Sequence, residues 1–534
     1  MNTTTRRRLG RGLATLGLMT AAVLGASAGC SSASDDCAQT NSCGGGGDGG
    51  GGDGGSGAGT PAGCIPKGSD EAVKDDCGIW VSLSRGDDAN DGSSKAAPKK
   101  SLRHAALVAA ERGVPRVYAC GEVFEEQVEV RPGVTIFGGL DCAGGWVWKE
   151  DTKTGVHGPP DVPAVKLLAG DGTTRLEDLE IRASDAETPG ASSIGVLAAG
   201  VTAELERCAI VAGNGADGAP GAPGDPMPRA QGGTAGNPGR NACTMAGDGA
   251  TTPGGAQVVN MCEEDGGEPS IGGKGGDGTF MVGRDGEPGE VGTLGQAGLG
   301  EPNGAGTWSC ATGTGLGYAG EPGVDGDAGT GGTGNGSLSA ESGYIGISGN
   351  AGTAGKRGQG GGGGGGAKGP GSCPGGATQG SGASGGSGGS GGCGGKPGQG
   401  GGAGGSSIAL VSIEATLSLN GCALEAGNGG KGGLGGDLQL GGIGGTSGPG
   451  GTGVNLSRAG CRGGDGGDGG RGGPGGGGAG GHTLSIAFKG TPVSTSGEIR
   501  RLQGSAGPGG LGGDGNGANN AGESGSKADA QEFP

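Results

Sequence analysis

Short apolar runs recur between residues 79 and 211, almost vanish over 216–404, and return at 406–424 and 483–502. Within the first block, Val128, Val130, Val134 and Ile136 alternate with polar residues, as a strand with one buried face requires. The pattern predicts strands at Ile79–Leu83, Arg116–Ala119, Gln127–Val130, Val134–Phe137, Val165–Leu168, Leu176–Ile181, Ile194–Ala198, Ala203–Glu206 and Ala209–Val211, most of them separated by Gly, Pro or Asp. One stretch changes period. From Pro98 to Arg112, Leu102, Ala105, Ala106 and Ala109 fall at helical spacing, and Gly113 supplies the stop.

Two of the later strands belong to a repeat. Ser192–Gly215 (SSIGVLAAGVTAELERCAIVAGNG) and Ser406–Gly429 (SSIALVSIEATLSLNGCALEAGNG) align without a gap and are identical at 11 of 24 positions, with a glycine-rich tract between them. A third, degenerate copy begins at Thr483 and lacks the cysteine. A coil with one apolar face cannot bury that face alone, but a copy above and below covers it. The expected fold is therefore all-β: a short solenoid of about four coils over 116–215, at roughly 22–25 residues per coil, with the two later copies stacked on it. All three glycine-rich tracts (216–404, 430–481 and 505–528) then leave one edge of the solenoid together. Cys120 and Cys142 stand one coil length apart in the chain, and Cys208 and Cys422 occupy the same repeat position. Coils about 4.8 Å apart bring Cα atoms within disulfide range, so both pairs are expected as covalent staples.

The segment around 81–105 resembles the start of secreted right-handed parallel β-helix proteins of the pectate-lyase-like group, through Val81, Ser82, Gly86, Asp88, Asn90, Asp91, Gly92, Ser93, Pro98, Ser101, Leu102 and Ala105. That resemblance implies a first strand and a helix that plugs the solenoid end. It transfers no catalytic residue.

Composition changes the picture in three ways. Glycine supplies 152 of 534 residues and only 12 are aromatic, so most of the chain cannot build a side-chain core. The net charge is −18, and −22 once Met1–Gly29 with its four arginines is set aside, which argues against a nucleic-acid partner. The N-terminus carries Arg6, Arg7, Arg8 and Arg11, then an apolar run from Leu13 to Ala26 that is too short to span a bilayer. Ser27-Ala28-Gly29-Cys30 follows and resembles a bacterial lipobox, which implies lipidation of Cys30. The absence of aspartate at Ser31 implies the outer membrane or cell surface of a Gram-negative bacterium, so the expected partner is a membrane, through the anchor, with surface glycans or other surface proteins beyond it. Fourteen further cysteines, without a CxxC pair, suit an oxidising compartment, and Cys37, Cys43, Cys64 and Cys77 are candidates to pin the ends of the tether. The Gly/Ser/Asp-rich residues 31–63 read as a flexible tether of roughly 30 Å r.m.s. span.

The glycine tracts admit two readings. GGX runs such as 463–478 can form extended, polyproline-II-like strands whose bare backbones pack closely and hydrogen-bond, in a polyglycine-II-like array; the alternative is a disordered bristle. G-X-Y runs such as 215–224 break too soon for collagen. The hexapeptide GGxGxD, ending at Asp277, Asp437, Asp468 and Asp514, resembles calcium-binding β-roll repeats. The copies are isolated, however, and Thr279, Gln439, Gly470 and Asn516 stand where those repeats need a large apolar residue, so no cofactor is expected. For catalysis the solenoid offers only scattered Glu125, Glu126, Asp141, Glu177, Asp178, Arg175, Arg182 and His157. The Gly-x-Ser-x-Gly match at 382–386 lacks a strand-turn-helix setting.

As a whole the chain resembles the glycine-rich bacterial surface proteins called PGRS. The expected organisation is a signal peptide (1–29), tether (30–63), strand-turn-helix cap (64–115), β-helix (116–215), glycine-rich insertion (216–405), repeat copy (406–429), second tract (430–482), degenerate copy (483–504) and glycine-rich tail (505–534). The expected function is non-catalytic: a lipid-anchored surface protein with a structural or adhesive role. The alternative is a carbohydrate-active β-helix enzyme or glycan-binding module.

Overall fold

The computed structural model describes residues 61 and 63–534, apart from 70, 246, 248, 249, 264, 265, 291, 305, 312 and 515–518. The leader, Cys30, Cys37, Cys43 and nearly all of the tether lie outside the described residues, as does Asn516.

Three parallel sheets run the length of a β-helix-like stack. Sheet I stacks Ile79–Val81, Arg116–Cys120, Thr135–Asp141, Thr173–Glu177, Thr202–Glu206, Thr416–Asn420 and Ser494–Ser496, with the short Val147–Trp148 paired antiparallel to one side. Sheet II stacks Val123–Phe124, Thr154–Gly158, Leu179–Ala183, Ala209–Ala212, Ala423–Ala426 and Arg500–Gln503. Sheet III stacks Val128–Val130, Val165–Leu167, Ser193–Ala199, Ser407–Ile413, Thr483–Lys489 and Lys527–Glu532. The helix Leu102–Glu111 packs against the first strands and buries Leu102, Ala105, Ala106 and Ala109. It begins at Leu102 rather than Pro98, because Ser101 caps it and Asp88 accepts hydrogen bonds from the Lys100 and Ser101 amides.

The repeat copies are successive coils. Ser193 pairs with Ser407, Thr202 with Thr416 and Ala209 with Ala423, all at the one offset that separates the two copies, and Ser407 in turn pairs with Thr483. Val117, Ile136, Leu176, Leu205 and Leu419 line up inward along sheet I. The run expected as one strand over 176–181 is two, because Asp178 takes a left-handed φ of 53° and turns the chain from sheet I into sheet II. Arg207 (φ 50°) and Gly421 (φ 61°) make the same corner one and two coils later.

Every coil from the Ala209–Ala212 level onward delivers its chain out of sheet II into a glycine tract and receives it back into sheet III. The tracts are hydrogen-bonded to one another with a period of three. Gly360, Gly363 and Gly366 donate to Glu290, Glu287 and Arg284; Gly361 and Gly364 to Gly389 and Gly386; Gly362 and Gly365 to Tyr318 and Gly315. The same tract accepts from Gly273 and Gly276, from Gly298 and Glu301, and from Gly464 and Cys461. It therefore touches six neighbouring segments, and residues 360–366 are buried glycine throughout. Tracts with fewer neighbours carry fewer glycines. In 429–436, Gly429, Gly432 and Gly435 bond one neighbour and Gly430, Gly433 and Gly436 another, while Lys431 and Leu434 are exposed. In 215–224 one residue in three, Gly215, Gly218, Gly221 and Gly224, donates to the 428–437 segment. At these glycines an added Cβ would strike a neighbouring carbonyl, so in these three tracts the number of glycines per triplet rises with the number of occupied faces.

Polar side chains complete the array. Ser381, Ser384, Ser387 and Ser390 are fully buried in one column, and the Ser384, Ser387 and Ser390 hydroxyls accept from the amides of Arg240, Asn237 and Thr234 at 2.7–2.8 Å. At the surface, Asp217, Asp325, Asp465 and Asn241 accept from the amides of Lys431, Arg471, Ser447 and Thr452 on the adjoining tract.

Candidate functional site

The end of the tracts far from the solenoid is built from three loops. Residues 301–316 are tied to a neighbouring tract by Cys310–Cys461, residues 368–380 by Cys243–Cys373, and 452–460 is the turn that precedes Cys461. A third staple, Cys262–Cys393, lies partway along the shaft. Trp308 is buried beneath the loops with Ala242, Ala367, Ala383 and Cys461, and its indole N–H donates to the Leu299 carbonyl at 2.6 Å. Above this small core opens a cavity of about 510 Å³, within the range of small-ligand sites. Its charged lining is Glu301, Lys368 and Arg458. Glu301 is buried; its carboxylate accepts from the Lys368 amide at 2.9 Å and lies 3.6 Å from the Arg458 guanidinium, which also donates to the Trp308 carbonyl. The Lys368 ammonium has no hydrogen bond or ion pair among the described residues. Asn455, in a left-handed turn (φ 51°), donates to the Ser372 carbonyl, and Leu456 beside it is wholly exposed.

None of these residues was legible as a site. Lys368, Asn455 and Arg458 sit in low-complexity sequence, and only their position at loop ends brings them together.

The residues nominated for catalysis are placed differently. Glu126 accepts from the Leu102 amide at 2.7 Å and caps the helix, and burial raises its pKa against that hydrogen bond. Glu125 meets His157 at 3.2 Å, Asp141 closes a turn onto the Gly144 amide, Arg182 pairs with Glu180, and Arg175 pairs with Glu204. Glu177 and Asp178, nearly buried, are both held by Arg207 at 2.8 Å, and Trp148 donates to Asp178. Burial, then the neighbouring Glu206, pushes the Glu177 carboxyl up, while Arg207 opposes the shift. These groups are engaged one by one across the solenoid. Ser384 of the Gly-x-Ser-x-Gly match is a buried member of the serine column, donating to the Pro253 carbonyl. Trp80, Tyr118 and Trp146 are buried with Phe137 on the outer side of sheet I, Trp80 stacked on Tyr118 at 4.7 Å.

Of the four aspartates nominated for calcium, Asp277, Asp437 and Asp468 serve backbone, and Asp514 donates its own amide to one of them. Asp277 accepts from the Gly254 amide and pairs with Lys274, Asp437 accepts from the Asp514 amide, and Asp468 from the Gly444 amide. Among the described residues no three His, Cys, Asp or Glu side chains gather as a metal cage.

Cysteine placement divides the expected pairs. Cys120–Cys142 is a disulfide, and so is Cys64–Cys77. Cys208 and Cys422 are stacked as expected, with the Ala423 amide donating to the Cys208 carbonyl, but both are free, buried thiols. The Cα spacing of adjacent coils permits a bond. Side chains that point the same way in register keep their Cβ atoms about 4.8 Å apart, however, beyond the 3.5–4.5 Å a disulfide takes. Cys120 and Cys142 escape this because a register shift follows Tyr118 and Cys142 lies past its strand. The hydrogen bond with Cys422, and then burial, hold the Cys208 thiol well above its usual pKa. Peptides carrying Cys208 and Cys422 should take iodoacetamide only after denaturation, without reductant. A Cys208–Cys422 cross-linked peptide from native protein would contradict the structure.

His482 joins the solenoid to the second tract. It is buried against Tyr344 and Phe533; Nε2 donates to the Asn335 carbonyl at 2.9 Å, and Nδ1 accepts from the Ser526 amide at 2.8 Å. Burial lowers its pKa below the ordinary 6.5. Its contribution to stability is therefore full above about pH 6.5 and is lost as pH falls through the folded-state value. Melting of wild type and His482→Gln from pH 7.5 to 4.5 should show an acid-side decline, up to ~1.4 kcal/mol per pH unit, that the variant lacks. Parallel curves would remove this role.

No protein-family model, curated protein or solved structure matches the chain.

Proposed function

We infer that the chain is an exported, lipid-anchored protein of the outer membrane or cell surface of a Gram-negative bacterium, with a structural or adhesive role. The solenoid, right-handed as in pectate-lyase-like proteins, is the base. The glycine tracts are an arm of polyglycine-II type, and the stapled loops are its contact end. The observation that carries this reading is the three-residue hydrogen-bond period between tracts, which holds the loops away from the base. At about 3.1 Å per residue, the regular stretch from Asn428 to Thr452 is roughly 75 Å long. The five disulfides among the described residues support an oxidising compartment. The carboxylates nominated for turnover are each committed to a cap, turn or ion pair, so the non-catalytic reading is preferred.

The test is location and anchoring in cells. The full chain should incorporate labelled palmitate, fractionate with the outer membrane and be shaved from intact cells by protease. Cys30→Ala should abolish labelling and release the chain. Recovery of wild type in the cytoplasm, or as an unlipidated soluble protein, would overturn the reading.

A further inference from the structure

We propose that the cavity between the arm's end loops binds a saccharide residue carrying a single carboxylate. This rests on the adhesive reading above and names the ligand class of the contact end.

The charge balance of the cavity is the first support. The protein is strongly acidic, yet the cavity is lined by two cations and one carboxylate. That carboxylate, Glu301, is already occupied by the Lys368 amide and Arg458. Lys368 is left with three N–H donors and no partner among the described residues, a demand that one anionic group from outside satisfies. A polyanion fits less well, because the chain as a whole repels it.

The remaining lining suits a polyhydroxylated body. Asn455 spends its amide N–H on Ser372, which leaves its side-chain oxygen as an acceptor. Gly304, Gly306, Gly369 and Gly371 line the cavity with no side chain over their backbone groups. Exposed Leu456 and Pro302 offer apolar surface to the C–H face of a ring. The two end disulfides and buried Trp308 hold the loops in place before a ligand arrives, which reduces the ordering cost of binding.

The experiment is titration of the full chain with glucuronic acid, galacturonic acid and N-acetylneuraminic acid, each beside its uncharged counterpart (glucose, galactose and N-acetylmannosamine), followed by saturation-transfer NMR. At least one acid should bind about tenfold or more tightly than its counterpart, the worth of one charge-assisted hydrogen bond. Lys368→Glu should remove that preference, and Lys431→Glu, on an exposed position of the shaft, should not. The proposal is overturned if no acid is preferred, or if the preference survives Lys368→Glu in protein with an unchanged melting curve. Inorganic phosphate competing as well as the sugar acid would also overturn it, because the site would then read charge without the ring. A chain that is displayed and adheres to cells while ignoring all three acids defeats the ligand class alone. A chain that never reaches the surface defeats the adhesive reading, whatever the titrations give.

Discussion

Gly363→Ala should lower the stability of the arm by about 2–6 kcal/mol, from ~1–3 for one overpacked methyl and ~0.5–1.5 for each of two strained backbone hydrogen bonds. The Gly363 amide donates to Glu287 and its carbonyl accepts from Gly298, while an added Cβ would meet the Lys274 carbonyl well inside 3.0 Å. The obstacle is packing alone, since Gly363 is not among the glycines at positive φ. The sign of the effect separates the two readings of the tracts. In a disordered bristle, alanine for glycine reduces the freedom of the chain and is neutral or slightly favourable. In a bundle it is strongly unfavourable. Calorimetric melting of Gly363→Ala against Lys431→Ala measures the difference; the lysine variant, at an exposed third position, should stay within about 0.5 kcal/mol of wild type. Equal melting of the two would remove the bundle. Slow amide exchange across 360–366 should accompany the wild-type result and be lost in the glycine variant.

Arg207→Ala should cost about 3 kcal/mol, because removing one partner leaves buried charges uncompensated. Arg207 holds Glu177, Asp178 and Glu206 at 2.8 Å each, with only 21% of its own side chain exposed. It does so from a left-handed backbone that the following coil gives to Gly421, at the equivalent repeat position. Arg207→Gly therefore relieves backbone strain worth of order 1 kcal/mol while losing the same ion pairs, and should fall between wild type and the alanine variant. Glu177→Gln/Asp178→Asn in the Arg207→Ala background should recover much of the loss. Urea unfolding followed by circular dichroism reads all three. An Arg207→Ala variant as stable as wild type would show that solvent already satisfies the carboxylates.

Much of the solenoid was legible because its contacts are copies of its own pattern. Ser192–Gly215 and Ser406–Gly429 share the apolar positions that stacking must align, and the register between them is the constant offset visible in the chain. The corner at Asp178 was not legible, since an aspartate between Glu177 and Leu179 reads equally as a polar position within one strand that runs from Leu176 to Ile181. The free thiols of Cys208 and Cys422 were missed because Cα spacing admits a bond that the parallel Cβ directions refuse.

The glycine tracts mark the other limit. Their composition, once a close-packed array is assumed, follows the number of occupied faces in three of them, pure glycine at 360–366, two in three around 430 and one in three at 215–224, whereas the buried serines of 381–390 depart from that count. It could not declare which segments meet, because a residue without a side chain carries no information about its partner. Those neighbours follow from the corner at which the coils release the chain. So do the pairing of Cys310 with Cys461 and Cys243 with Cys373, and the meeting of Glu301, Lys368 and Arg458 at the far end. Apolar alternation and an ungapped repeat were enough to determine the stacked coils, since each coil's neighbour is its own image. Tertiary structure alone decided the arm and its cavity, where segments far apart in the chain are joined by backbone hydrogen bonds that any sequence rich in glycine could make.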